Sequence, residues 1–276
     1  MTTGEKRYNR TGVNTVSIFG AQMKFDIRYS LPLLTTKRVF WKTVIKELLW
    51  FLTGSTDNKT LLNQNVNIWT GNSTKPFLES RGLDYEEHDI GPGYGFQWKH
   101  WGAKYVDCDM DYSGQGVDQI QRLIDGLIND PNSRRHILTA WNVADIDKMA
   151  LPPCHILAQF YVDAKKQLSC HLYQRSGDVF LGVPFNIASY SILTYILAKI
   201  CGYTPGYFIH TIGDAHIYEN HISQCREQLT RIPSAFPKLE LSEKFTKSTN
   251  WSGITIEDFK IVNYECDSYI KADMVV

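Results

Sequence analysis

From Arg38 onward, apolar residues at Phe40, Val44, Leu48 and Phe51, flanked by Trp41, Ile45 and Leu49, recur at helical spacing and stop at Thr53-Gly54. The pattern predicts a helix closed by a glycine cap. A second helical pattern uses Val117, Ile120, Leu123, Ile124 and Leu127 and ends at Asp130-Pro131. A third is opened by Pro184 and runs to Cys201-Gly202. Three segments rich in Ile, Leu, Phe and Tyr read as strands: His136 to Trp141, Ile156 to Val162 and Leu168 to Tyr173. The last two are joined by the polar turn Asp163-Ala164-Lys165-Lys166-Gln167. Near the start, Thr15 to Ile18 and Gln22 to Ile27 are separated by Phe19-Gly20-Ala21, which predicts a hairpin. Strands mixed with helices imply an α/β or α+β layer around one sheet. No linker, low-complexity run or fixed-period repeat interrupts the chain, so one domain over residues 1–276 is expected.

Composition narrows the function classes. The 276 residues carry 29 Lys+Arg against 29 Asp+Glu, a net charge of zero. That removes the electrostatic footprint of a general nucleic-acid binder, so RNA binding is not indicated. At 43% hydrophobic and 13% aromatic the chain is an ordered globular one. Six cysteines form no CxxC pair and no charged-then-apolar leader precedes Met23, which reads as a reduced, intracellular protein, cytoplasmic by expectation. The longest apolar stretch, around Ile192 to Ile200, is broken by Thr194, Tyr195 and Lys199 and falls short of the ~20 residues of a membrane span.

Candidate chemistry begins at Leu151-Pro152-Pro153-Cys154-His155, where two prolines stiffen the chain just ahead of a thiol. Cys154 reads either as a small buried hydrophobe or as a rigidly presented nucleophile. Neighbours in an extended strand point to opposite faces, so Cys154 and His155 are badly placed for a thiolate-imidazole dyad. A thiol of pKa ~8.5 is only about 3% ionised at pH 7 and needs a cation or donor nearby. Gln174-Arg175-Ser176-Gly177-Asp178, read as a strand ending in a glycine-containing turn, offers groups suited to an anion and a hydrogen-bonding ring. It is equally a solvated turn with a surface ion pair. Arg134-Arg135 and Arg10-Thr11-Gly12 add guanidinium groups whose convergence spacing alone does not establish. Pro92 to Trp98 suits close backbone approach to a ligand or ordinary aromatic loop packing. Glu47, inside an apolar helix, is either lifted to solvent or kept inside for acid-base work.

Together, Pro152-Pro153-Cys154-His155, Gln174-Arg175-Ser176-Gly177-Asp178 and Leu181-Gly182-Val183-Pro184-Phe185-Asn186-Ile187-Ala188-Ser189-Tyr190 closely resemble the thymidylate synthase family. The similarity extends from Arg10-Thr11-Gly12 through Glu47 to Leu52, Gly91 to Gly95, Gly213 to Tyr218 and the C-terminal tail. It implies a mixed sheet packed by helices, with one sheet face at the interface of a homodimer. It also implies a methyltransferase: reductive methylation of dUMP to dTMP, with 5,10-methylenetetrahydrofolate as cosubstrate, dihydrofolate as by-product and no metal. Cys154 matches the nucleophile that adds to C6 of uracil. Arg175 would stabilise the thiolate and touch the phosphate, while Arg10, Ser176, Arg134 and Arg135 match its other ligands, the last two donated across the dimer interface. His216 and Tyr218 match ribose contacts. Asn186, with donor and acceptor on one amide, would read uracil N3–H and O4. Glu47, Tyr94 and His155 match proton-transfer positions. Trp69, Asn72, Asp178, Gly182 and the terminal Val276 match the folate side, Val276 closing over the bound pair.

Three departures accompany the resemblance. Only nine residues precede Arg10, where family members usually carry a helix, so that helix is expected shortened, absent or outside the sequence. Asn14 stands where the family often has glycine, and Gly93 replaces a usual valine beside Tyr94, a change worth about 0.5 to 1 kcal/mol of ordering cost. The rivals are a hydroxymethylase on the same fold, against which Asn186, Trp69 and the tail argue, an RNA-binding protein and a cysteine hydrolase.

Overall fold

The computed structural model describes residues 3–9 and 11–275. Its strands are β1 (Glu5–Arg7), β2 (Thr15–Asp26), β3 (Ile137–Thr139), β4 (His155–Val162), β5 (Gln167–Asp178), β6 (Thr204–Tyr218), β7 (Lys238–Leu241) and β8 (Phe259–Val262). Its α-helices are α1 (Trp41–Thr53), α2 (Lys59–Leu62), α3 (Lys75–Ser80), α4 (Tyr94–His100), α5 (Gln119–Asn129), α6 (Gly182–Cys201) and α7 (Ile222–Leu229). Six strands form one mixed sheet in the order β1-β2-β6-β5-β4-β3, and β7 pairs with β8 separately. Among the described residues only β5 and β6 run parallel within the larger sheet, and α6 is the crossover between them.

The three helices expected from periodicity are present. Gly54 and Gly202 close α1 and α6 in the left-handed conformation, at φ 82° and 75°. Asp118 caps α5 by accepting from Gln121 N. Among the described residues one helix, α6, is long and apolar enough to cross a membrane by composition alone, extending well beyond the Ile192 to Ile200 stretch. Most of it is buried against β5 and β6, where an all-round apolar helix belongs.

Three local expectations are corrected. Residues 15–26 make one continuous strand, not a hairpin: β6 accompanies β2 in unbroken register from Thr15↔Tyr218 to Asp26↔Tyr207. Gly20 takes φ 85° within that strand without reversing it. The segment Gln174 to Asp178 is not a turn either. It completes β5, because β6 holds it in parallel register through Asp178↔His216. Tyr94 to Trp98 opens α4 instead of forming a loop.

Strand alternation divides the sheet. Leu168, Cys170, Leu172 and Gln174 of β5, with Ala158, Phe160 and Val162 of β4, face a continuous buried cluster that includes Phe51, Trp98, Phe208 and the apolar residues of α1 and α6. On the opposite face Leu157, Tyr161 and Tyr173 are 36%, 63% and 39% exposed. The catalytic-looking residues fall where β4 and β5 begin and end against α1, α4 and the start of α6.

Candidate active site

Cys154 sits immediately ahead of β4, and its position is set by two neighbours. Its backbone N–H donates to Tyr94 Oη at 2.7 Å, and its carbonyl accepts from Arg175 N at 2.8 Å. The Arg175 side chain then folds back over the two prolines. Nε donates to Pro153 O and Nη2 to Pro152 O, each at 2.8 Å, and Nη2 also stands 3.8 Å from Cys154 Sγ. The prolines cannot donate, yet their carbonyls need partners, so one guanidinium satisfies both and lies beside the sulfur as a fixed cation. The Trp141 ring lies 5.7 Å from that guanidinium.

His155, the first residue of β4, is held between two tyrosines. Its Nδ1 pairs with Tyr190 Oη at 2.8 Å, and its ring stacks on Tyr94 with centroids 4.1 Å apart. Burial, with His210 adding repulsion, pushes its pKa down to about 3, so the imidazole is neutral. Tyr94 is thereby shared: its hydroxyl orients the Cys154 backbone while its ring supports His155. Glu47 projects from α1 and accepts from Trp69 Nε1 at 2.8 Å. Burial raises its carboxyl to about 7, with the indole donor pulling the other way. The helical phase therefore keeps Glu47 inside. Trp69 is 7% exposed and packs against Trp50, Phe51 and Tyr94, so only a limited part of its indole is open.

Two residues that sequence reasoning gave no role stand behind Asn186. Gln174 donates from Nε2 to Asn186 Oδ1 at 3.0 Å and to Ser176 O at 2.8 Å, while its Oε1 faces His210 Nε2 at 2.8 Å. With both amide hydrogens used, Oε1 needs a donor, and His210 therefore carries its hydrogen on Nε2. This chain of fixed polarity holds the Asn186 amide in one orientation. A signal existed: Gln174 falls on the inward side of β5, in phase with Cys170 and Leu172, and a polar residue at such a position is held by partners.

Other predicted residues lie nearby. Ser176 pairs in register with Asp214, and His216 Nδ1 stands 3.2 Å from Asp214 Oδ1 with the Tyr218 ring edge-on to it. Asp178 accepts from Phe180 N and Leu181 N at the entry to α6. A Cβ on Gly182 would come 3.8 Å from Asp178 Cβ and 4.0 Å from Asn186 Oδ1, so this glycine lies between the two. Asn72 is buried in the short turn after Trp69. Asn14 donates to Glu219 Oε2 at 3.0 Å, tying the turn before β2 to the end of β6, and Gly93 has an ordinary φ of −74°. Arg134 and Arg135 are exposed between α5 and β3. Arg135 lines a cavity of about 600 Å³ with Arg122, Asp125 and His136, on the α5 side of β3 and not beside Cys154. Arg10 and Val276 lie outside the described residues. Among the described residues no cluster of metal-ligating side chains occurs.

Comparison with known proteins matches residues 1–276 to the family model described as thymidylate synthase. The thymidylate synthase of human herpesvirus 8 type P (isolate GK18) is 54% identical over 99% of this chain and 80% of its own length. That of Homo sapiens is 54% identical over 99% of this chain and 86% of its own. A bifunctional dihydrofolate reductase-thymidylate synthase of Paramecium tetraurelia is 52% identical over all of this chain and 59% of the larger protein.

Proposed function

Since the chain belongs to the thymidylate synthase family, we infer that it is a folate-dependent methyltransferase that converts dUMP to dTMP. The cosubstrate 5,10-methylenetetrahydrofolate supplies the one-carbon unit and the hydride and leaves as dihydrofolate. The observation that carries the reading is the Cys154 sulfur held 3.8 Å from the Arg175 guanidinium on stiff backbone. Cys154 adds to C6 of uracil and makes C5 nucleophilic, and Arg175 favours the thiolate while contributing to the phosphate site with Arg10, Ser176, Arg134 and Arg135. His216 and Tyr218 take the ribose hydroxyls. Asn186, oriented by Gln174, donates to O4 and accepts from N3–H, a pairing that cytosine reverses. Glu47, Tyr94 and His155 serve proton transfer near O4 and C5. Trp69, Asn72, Asp178, Gly182 and Val276 form the folate side.

The active unit is a homodimer built on the exposed sheet face, with Arg134 and Arg135 reaching the partner's site. Support comes from the apolar exposure of Leu157, Tyr161 and Tyr173 on that face and of Ile137 beside it, and from the exposure of both arginines away from their own Cys154. Residues 1–276 act as one catalytic domain. A reducing, cytoplasmic setting fits six cysteines that form no CxxC pair.

Dihydrofolate formation followed spectrophotometrically, with dUMP and dCMP in parallel, tests the reading. Turnover with dUMP alone, giving dTMP, is expected. Hydroxymethyl-dUMP as product would replace it with a hydroxymethylase, and turnover with dCMP would remove Asn186 from ring recognition.

A further inference from the structure

Tyr190 lies on α6 one turn after Asn186, so the helix that carries the ring-reading amide also carries a buried hydroxyl. Tyr190 is 3% exposed, and its Oη stands 2.8 Å from His155 Nδ1. Trp98 and His155 both meet its ring edge-on, with centroids 6.3 and 5.2 Å away. The hydroxyl therefore sits in a packed aromatic setting, with an imidazole nitrogen in front of it.

Either group can donate, and the surroundings settle which one does. Burial keeps both neutral, since it holds the Tyr190 hydroxyl well above its ordinary pKa and the His155 imidazole well below. His155 therefore carries one ring hydrogen and one bare nitrogen. Were the hydrogen on Nδ1, Tyr190 Oη would accept it and its own hydrogen would need a second acceptor. Among the described residues His155 is the one hydrogen-bond partner of that hydroxyl. Glu47, whose charge reaches Tyr190, accepts from Trp69 Nε1 and not from Tyr190. A buried donor without an acceptor is the less stable arrangement. Tyr190 Oη thus donates to a bare Nδ1, and the ring hydrogen of His155 sits on Nε2.

We propose that Tyr190 is a positioning residue that holds His155 in the Nε2–H tautomer, so that His155 meets the substrate as a hydrogen-bond donor and not as a base, an inference that rests on the reading of His155 as a proton-transfer position. A base must offer a free lone pair, and the basic lone pair of this ring is engaged by the Tyr190 hydroxyl. Two tyrosines divide the work of holding the imidazole. Tyr94, stacked on it at 4.1 Å, fixes the plane of the ring, and Tyr190 fixes which nitrogen bears the hydrogen. His155 so placed supports negative charge that develops on the substrate and takes up no proton from it.

The test has a spectroscopic arm and a kinetic arm, both in the full chain. Histidine labelled with heavy nitrogen is incorporated, the His155 signals are identified by their loss in His155→Gln, and the ring-nitrogen shifts tell a bare nitrogen from a protonated one. The wild-type chain is expected to show a bare Nδ1 and a protonated Nε2, and a protonated Nδ1 overturns the proposal. In Tyr190→Phe, which removes only the hydroxyl, the two tautomers should mix, and an unchanged pattern would show that Tyr190 does not set it. The same variant is expected to lower kcat about fivefold, the worth of one ordinary neutral hydrogen bond, with the dUMP KM within about twofold. That loss should vanish in the His155→Gln background, because Tyr190 acts through the imidazole. An unmoved kcat, a loss confined to KM, or an equal loss without His155 overturns the proposal. Should Tyr190→Phe not fold, the wild-type spectrum decides by itself. A wild-type chain that forms no dTMP sinks the reading of the site, while the ring-nitrogen shifts still decide the direction of the bond.

Discussion

Cys154 and Glu47 carry the sharpest consequences of their surroundings. 5-Fluoro-dUMP with methylenetetrahydrofolate should leave a stable adduct on Cys154, since fluorine does not leave C5 as a proton does, and Cys154→Ser should abolish it. Peptide mass spectrometry decides, and modification of Cys170 or Cys201 would overturn the assignment. Burial pushes both of those thiols up to about 12, far from a reactive state. Glu47 makes a thermodynamic prediction. Its pKa rises from 4.5 to about 7 on folding, so the folded state binds the proton more tightly. Its contribution is therefore most favourable below pH 4.5, declines as pH rises to about 7 and is flat above. Glu47→Gln mimics the protonated group and still accepts from Trp69, so it should stabilise the protein at pH 8 by up to about 3 kcal/mol and by nothing at pH 4. Denaturant titrations at both values measure it. His155 runs oppositely: its pKa falls to about 3, so stability is lost as pH drops below 6.5, but this cancels in the wild-type/variant difference.

Among the elements, two glycines of similar φ should respond differently to alanine. At Gly202, φ is 75° and an added Cβ meets nothing within 4 Å, so Gly202→Ala costs about 1 kcal/mol of backbone strain. At Gly91, φ is 72° and the Cβ would overlap the Lys148 carbonyl. Gly91→Ala should cost about 2 kcal/mol or more and displace Tyr94, lowering kcat as well as the unfolding midpoint. Equal losses of stability with kcat untouched at both would show that Gly91 does not position α4. These caps also explain what could be read in advance. The helices α1 and α6 announce themselves through local chemistry: periodic apolar residues, then glycine. The end of β5 does not, because Ser176-Gly177-Asp178 looks like a turn until β6 supplies its partners, Asp214 to His216, 38 residues later. Gly20 misled for the same reason. Glu47, Cys154 and Arg175 were visible as residue types in unusual settings, and family resemblance gave them roles. Gln174 carried one signal, its inward place on β5, but its role and that of His210 lie in hydrogen bonds across the fold.

For the molecule as a whole, the proposed shared-site dimer makes a quantitative prediction. In a mixture of Cys154→Ser and Arg135→Glu chains, each mixed dimer has one site with both defects and one with neither. Random reassortment makes about half of all dimers mixed, so activity should return to roughly a quarter of wild type after joint refolding. If the mixture stays as inactive as either mutant alone while sedimentation shows dimers, Arg135 does not serve its partner. A last consequence follows from the sheet order. β2 lies between β1 and β6, and its long register is with β6, so Gln22 donates to Thr211 across 189 positions of sequence. During translation, at about 5 to 20 residues per second, β2 leaves the ribosome on the order of 10 to 40 s before that neighbour exists. For that interval Val16, Ile18, Phe19, Met23 and Phe25 travel on a nascent chain with an unpaired strand edge, a template for pairing with other nascent chains. Slow synthesis of the middle of the chain should therefore harm the yield of folded protein more than slow synthesis of its last fifty residues.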